Sequence, residues 1–212
     1  MTRVSVILSG CGVYDGTEIH EAVLTLLYLD REGAEVQCFA PDKPQIHVVD
    51  HLSGQPSERE TRNVLVESAR IARGKILPLS ELNMDRFDAV VFPGGFGAAK
   101  NLCTFASQGD QCDIDPEASR VILEAVDKKK VIGAICISPA LIARALQGTG
   151  LKPVVTIGTD AATAGAIRAL GAENVPLSVK EIAVDEKSKI VSTPAYMLGT
   201  SIAQVSLGIE AL

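Results

Sequence analysis

The sequence predicts one α/β domain in three layers, a mainly parallel sheet covered by helices on both faces. Short Val/Ile-rich runs recur along the 212 residues and alternate with segments of helical periodicity. Each run is too continuously apolar for a strand with one wet face, as a sheet buried on both sides requires. Strand and helix in alternation imply parallel pairing through right-handed crossovers. No linker or shift of composition divides the chain, so residues 1–212 are read as a single domain.

The elements follow in order. "VSVIL" (4–8) is the first strand. After it, Ile19, Ala22, Val23, Leu26 and Leu27 obey the i, i+3, i+4, i+7, i+8 rule for one buried helical face, and Gly33 in "REGAEV" supplies the stop. "AEVQCFA" (34–40), "DAVVFP" (88–93), "KVIGAIC" (130–136) and "PVVTIG" (153–158) are the further strands, and helical patterns cover 61–72, 116–129, 138–147 and 160–170. Residues 41–60, "PDKPQIHVVDHLSGQPSERE", are polar and punctuated by Pro and Gly around one β-like run, and are read as an insertion forming a hairpin and loop. Near the other end "EIAVDEKSKIVSTPAYM" places two β-like runs around "DEKSK", a C-terminal hairpin. This order describes a flavodoxin-like sandwich.

Composition narrows the function. A net charge of -6 without dense Lys/Arg clustering disfavours nucleic acid and anionic lipid surfaces, and "DKKK" (127–130) is a solvated helix end. With no Trp, three Tyr and five Phe, a base-stacking platform is not expected. The five cysteines are odd in number, far apart and without a C-x-x-C pair, which fits reduced thiols rather than zinc or a redox motif. "MTRVSVILSG" carries no signal-type or membrane-spanning run, so a cytoplasmic protein is expected. Removal of an organelle presequence would leave the same start and make the mitochondrial matrix the alternative.

Ligands of open α/β sheets bind beyond the carboxyl ends of the strands, and three loops there carry candidate groups. In "SGCGVYDGTEIHEAV", Glu18 opens the first helix, either as a capping-box partner of Asp15 or as an acid at the sheet edge. In "FPGGFGAAKN" (92–101), adjacent glycines after a proline are a tight turn, or leave backbone N–H groups free for an oxyanion; Gly95 is the expected donor. The third loop is the corner at Cys136 in "VIGAICISPALIARAL". There a strand-to-helix elbow holds a thiol at the head of the sheet, the following helix favours its thiolate, and Ile137 offers an oxyanion N–H. A cysteine packed as a small apolar residue is the bland alternative. The convergence of carboxylate, glycine turn and thiol at one edge favours a site.

The stretches "VVFPGGFGAAKNL" and "VIGAICISPA" resemble the class I glutamine amidotransferase-like, or PfpI-type, superfamily. "SGCGVYDGTEIHEAV", "FAPDKPQIHVVDH", "TRNVLVESARIARGKI" and "TPAYM" are similar to its ElbB branch, the group named for enhancing lycopene biosynthesis. The resemblance covers essentially the whole chain. It implies a six- or seven-stranded flavodoxin-like core, a homodimer, and a Glu-Cys pair made of Glu18 and Cys136. It also implies a glyoxalase-type activity, without glutathione, metal or other cofactor, that converts glyoxal to glycolate.

Histidine departs from the superfamily's triad. His20, His47 and His51 all precede the elbow, and "TDAATAG" stands where a base would follow the strand "PVVTIG". A Cys-His triad in its usual order cannot be written, so amidotransferase and peptidase activity lose support. His20 lies two residues from Glu18, a rotation of about 200° on a helix that would keep the two apart. His47 and His51 fall in an alternating segment without helical ligand geometry, so no metal site is expected.

The resulting expectation is a cofactor-independent cysteine enzyme acting on a small dicarbonyl. Cys136 would attack, Gly95 and Ile137 would hold the oxyanion, and Glu18 would move the proton. The rivals are a redox sensor signalling through oxidation of Cys136, with Cys11 a candidate resolving thiol, and a non-catalytic subunit that works in complexes.

Overall fold

A computed structural model describes residues 1–212. The chain runs β1 (Arg3–Ile7), α1 (Ile19–Arg31), β2 (Glu35–Ala40), β3 (Val49–Asp50), β4 (Gln55–Pro56), α2 (Val64–Ile71), β5 (Ile76–Pro78), β6 (Ala89–Phe92), α3 (Phe96–Lys100) and α4 (Phe105–Gln108). It continues with α5 (Pro116–Asp127), β7 (Val131–Ile135), α6 (Ser138–Leu146), β8 (Val154–Val155), α7 (Ala161–Ala169), β9 (Glu173–Asn174), β10 (Ala183–Asp185), β11 (Ile190–Thr193) and α8 (Ile202–Ala211).

Seven strands form the central sheet in the order β10-β11-β7-β6-β1-β2-β5, parallel except for the antiparallel pairing of β10 with β11. The flavodoxin-like expectation therefore holds. Strand order reverses beside β1, so the loops after β1 and β6 open a crevice at the carboxyl edge, where such folds bind ligands.

Period-2 alternation sorts the side chains between two cores. Along β1, Val4 and Val6 join Ala22 of α1, Val64 of α2 and Val205 of α8 on one face. Ile7 joins Val121 of α5, Leu141 of α6 and Ile167 of α7 on the other.

Several expectations are corrected. "PVVTIG" does not extend the central sheet: Val154–Val155 pairs with Glu173–Asn174 in a separate two-stranded sheet. The predicted hairpin is β10-β11, but β11 lies parallel to β7 and the chain goes on into α8, so the hairpin is not terminal. The insertion does form a hairpin, the short β3-β4 pair.

The buried face of α1 is also rotated from the one predicted. Glu21, Ala22, Leu24 and Thr25 point inward, whereas Ile19, Val23 and Leu27 are exposed. Two polar side chains occupy this face because their polar atoms find partners. Thr25 Oγ1 donates to Glu21 O at 2.7 Å, and the Glu21 carboxyl has partners of its own.

Candidate active site

β7 ends at Ile135 and α6 begins at Ser138, so Cys136 and Ile137 make the corner. Cys136 has φ 63°, a left-handed conformation that costs a residue with a β-carbon about 1–2 kcal/mol. Its neighbours hold it there: Cys136 N–H donates to Thr193 O at 2.9 Å, and Ser138 Oγ donates to Pro93 O at 2.9 Å. The second bond ties the elbow to the glycine turn after β6. The side chain stands at the head of the sheet, as the sequence predicts for a nucleophile elbow, and is 7% exposed.

The glycine turn presses against this thiol. A β-carbon at Gly94 would lie 2.5 Å from Cys136 Cβ and 2.7 Å from Glu21 Oε2. Gly95, at φ 91°, starts α3, and a β-carbon there would lie 2.4 Å from the Glu18 backbone nitrogen. Close backbone approach, besides turn conformation, is what these glycines permit.

The carboxyl beside the Cys136 thiol is that of Glu21: a β-carbon at Gly94 would meet both groups, Glu21 Oε2 at 2.7 Å and Cys136 Sγ at 3.0 Å, and each group shifts the titration of the other. Glu21 is fully buried on the inner face of α1; its Oε2 accepts from Gly94 N–H at 2.9 Å and its Oε1 from Tyr196 N–H at 3.2 Å. Burial, with a smaller contribution from the nearby Glu18 charge, pushes the Glu21 carboxyl up to about 8. Burial first, and then the Glu21 charge, raise the Cys136 thiol well above its ordinary value.

The backbone N–H groups of Gly95 and Ile137, at the same corner, oppose that rise. The elbow thus acts in the direction expected, but burial outweighs it, and the thiol is not the depressed one predicted from the helix start.

Glu18, unlike Glu21, lines the cavity over Cys136. It is the N-cap of α1, its Oε2 accepting from Glu21 N–H at 2.7 Å, so it fixes the first turn that carries Glu21. The Asp15–Glu18 capping box is not formed, since Asp15 Oδ2 accepts from Val49 N–H at 2.7 Å instead. Because Glu18 precedes the helix, helical rotation does not separate it from His20: His20 Nδ1 lies 3.9 Å from Glu18 Oε1. This corrects the expectation that the two cannot meet.

His20 Nδ1 is also 2.8 Å from the Tyr196 hydroxyl. His47 is exposed, His51 bonds the Tyr14 N–H and Val49 O, and no histidine lines the cavity. Cys11 does not line it either, and sits among Glu67, Arg70 and Asp15. No group of three or more His, Cys, Asp or Glu side chains is gathered as a metal would need.

The cavity over Cys136 has a volume of about 390 Å³. Phe96, Phe105, Ile137 and Met197 give it apolar walls, while Glu18, Thr163 and Tyr196 are its polar side chains. The site thus gathers a thiol, a carboxyl that holds a proton and backbone N–H groups beside an apolar-walled cavity.

Sequence reasoning missed two of these residues. Glu21 was hidden because periodicity counts apolar positions, although a carboxylate one residue before the buried Ala22 is a signal. In the sequence Tyr196 is marked only as part of the stretch "TPAYM". Its position depends on Ala195, which is buried at φ 45° and so turns the chain after β11 in a way no propensity predicts.

No family model matches the chain. Among curated proteins it is similar to the rat "ES1 protein homolog, mitochondrial", 52% identical over 219 residues, covering 99% of this chain and 81% of the relative. It is equally similar to the human "Glutamine amidotransferase-like class 1 domain-containing protein 3, mitochondrial", 53% identical, covering 99% and 80%. Among solved structures, an isoprenoid biosynthesis protein with amidotransferase-like domain from Ehrlichia chaffeensis superposes with TM-score 0.92 at 41% identity, covering 99% of this chain and 95% of that one. Drosophila melanogaster DJ-1beta shares the fold, with TM-score 0.58 at 16% identity over 99% of this chain and 88% of its own.

Proposed function

The chain belongs to the ES1 family of glutamine amidotransferase-like class 1 domain proteins, and from that premise we propose that it is a cofactor-independent enzyme of the glyoxalase type, converting glyoxal to glycolate. The observation that carries this reading is the buried Glu21 carboxyl set beside the Cys136 thiol at the corner that also holds the N–H groups of Gly95 and Ile137. Membership of the ElbB-type branch is part of the same proposal. The Ehrlichia chaffeensis protein's description as an isoprenoid biosynthesis protein is consistent with it.

The chemistry balances with one proton moving between sulfur, carboxyl and substrate. The productive pair holds a single proton shared by Cys136 and Glu21. Sulfur adds to one aldehyde carbon, the thiol proton passes to Glu21, and the alkoxide formed is held by Gly95 and Ile137 N–H until Glu21 protonates it. Glu21, again a carboxylate, removes the hydrogen from that carbon to give an enediolate and returns it to the neighbouring carbon, while the hydroxyl proton on the first oxygen passes to the second, so that the first becomes a carbonyl and the second an alcohol. The product is a glycolyl thioester on Cys136. Water cleaves the carbon–sulfur bond, releasing glycolate and a proton and restoring the thiol.

Glu21 thereby takes the shuttle role that the sequence suggested for Glu18, and Glu18 holds the helix turn that presents it. Burial that keeps the thiol protonated disfavours rapid oxidation, so the sensor reading has weaker support. The names of the rat and human relatives include "mitochondrial", and five free cysteines suit a reducing compartment such as the matrix or the cytoplasm. A homodimer belongs to the same proposal, and sedimentation as a monomer would contradict it.

The test is glyoxal consumption and glycolate formation followed by proton NMR, in wild type and Cys136→Ala. Turnover in the wild type that disappears in the variant supports the reading; equal turnover in both, or none in either, defeats it.

A further inference from the structure

Beyond the Cys136–Glu21 pair, the cavity contains a hydroxyl that the chemistry above leaves unused. Tyr196 lines the wall beside Glu18, and its hydroxyl is 2.8 Å from His20 Nδ1. The His20 side chain is 52% exposed, so this hydrogen bond reaches from the cavity toward solvent.

The fold places Tyr196 with some force. Ala195 adopts φ 45° although it carries a β-carbon, and it is fully buried, so the turn after β11 is held in a strained conformation. The strained turn delivers the Tyr196 N–H to Glu21 Oε1, which fixes the residue beside the reacting pair by its backbone and leaves its ring free to face the cavity. Two residues with β-carbons in the left-handed region, Cys136 and Ala195, thus flank one buried carboxyl.

A dicarbonyl has a second oxygen, next to the carbon that sulfur attacks. Gly95 and Ile137 N–H groups serve the first oxygen, and negative charge moves to the second as the enediolate forms. That oxygen needs a donor that is neutral and keeps its proton.

We propose that the Tyr196 hydroxyl is a catalytic residue that donates to this second carbonyl oxygen, and that His20 is the positioning residue that donates to Tyr196 through Nδ1–H and so turns the hydroxyl proton into the cavity. Burial, with the charges of Glu18 and Glu21, raises the Tyr196 phenol above its ordinary value, which keeps the proton on it. Thr163, the other hydroxyl of the wall, lies on the first turn of α7, where its backbone N–H is engaged by Asp160.

The inference rests on the dicarbonyl reading, and the experiment separates the two. Glyoxal turnover is measured in wild type, Tyr196→Phe, His20→Leu and His20→Asn, with the rate of Cys136 alkylation by iodoacetamide and the melting temperature of each. Tyr196→Phe keeps the backbone N–H to Glu21, so its alkylation rate should match the wild type while kcat falls about a hundredfold with KM little changed. His20→Leu should lose part of kcat, and His20→Asn, whose amide N–H reaches the place of Nδ1–H, should recover most of it. A Tyr196→Phe variant with wild-type kcat, or His20→Leu and His20→Asn variants that behave alike, overturns this inference alone. Absence of Cys136-dependent turnover in the wild type overturns the dicarbonyl reading and this inference with it. A role in packing alone would lower the melting temperature without dividing kcat from KM.

Discussion

Glu21, three residues along from the helix cap Glu18, is the carboxyl beside the Cys136 thiol, and both of its oxygens are already engaged by backbone N–H groups of Gly94 and Tyr196. One side chain therefore joins α1, the turn after β6, the elbow after β7 and the turn after β11. Removing its charge changes the chemistry, and removing its shape changes the site.

The two glutamates should separate on substitution. Glu21→Gln takes away the proton carrier and should lower kcat for glyoxal by about 10²–10⁴-fold, the usual worth of a general acid–base group. Glu18→Gln keeps an oxygen for the cap to Glu21 N–H and should cost far less. Steady-state kinetics on the two variants checks this; an inverted order would return the shuttle to Glu18.

Turnover should rise with pH. Burial raises both members of the pair, so at low pH thiol and carboxyl are both protonated and no base is available. Loss of one proton gives the productive form, and with Glu21 at about 8 the rise of kcat/KM should centre near that value. The apparent constant belongs to the pair rather than to either residue. A profile that is flat from pH 6 to 9, or that falls, would contradict it.

The same shift has a consequence for stability. Glu21 is raised in the fold relative to its value of 4.5 in an unfolded chain, so the native state binds an extra proton between that value and about 8. Its contribution is complete below the lower value and is lost as pH rises through the upper one. Denaturant titrations should show the stability of the wild type falling over this window, with Glu21→Gln showing a shallower slope.

Gly94 is predicted to be intolerant of any side chain. An added methyl would meet Cys136 Cβ and Glu21 Oε2 at distances that real β-carbons do not show, and both atoms belong to elements fixed by the sheet. Gly94→Ala should therefore abolish turnover and lower stability by about 1–3 kcal/mol, the cost of overpacking a well-filled interior. Turnover and denaturant midpoint measured together would show it, and an active, stable variant would mean the turn is looser than described.

Much of this architecture is legible in the sequence because sheet burial leaves a coarse mark. The runs at 4–8, 34–40, 88–93 and 130–136 are apolar on both faces, and all four are strands of the central sheet. The elbow was legible for a related reason, since an apolar strand running straight into a helix leaves one residue to turn the corner, and Cys136 is that residue. Val154–Val155 misled because a β-branched pair fits a short strand outside the main sheet, here paired with Glu173–Asn174, as well as one inside it. Glu21 and Tyr196 were out of reach for a different reason. Their roles come from where α1 and β11 pack, and an inward carboxylate on α1 is stable only with N–H partners supplied 73 and 175 residues away.

The most direct test of the central claim is to look for the thioester itself. Wild-type protein mixed with saturating glyoxal and quenched in acid within the first turnovers is digested and examined by mass spectrometry at the peptide containing Cys136. A glycolyl adduct on Cys136 is expected that forms and decays at rates matching turnover, is absent from Cys136→Ala, and accumulates far more slowly in Glu21→Gln. Glycolate formed at the wild-type rate with no adduct on Cys136 would contradict it.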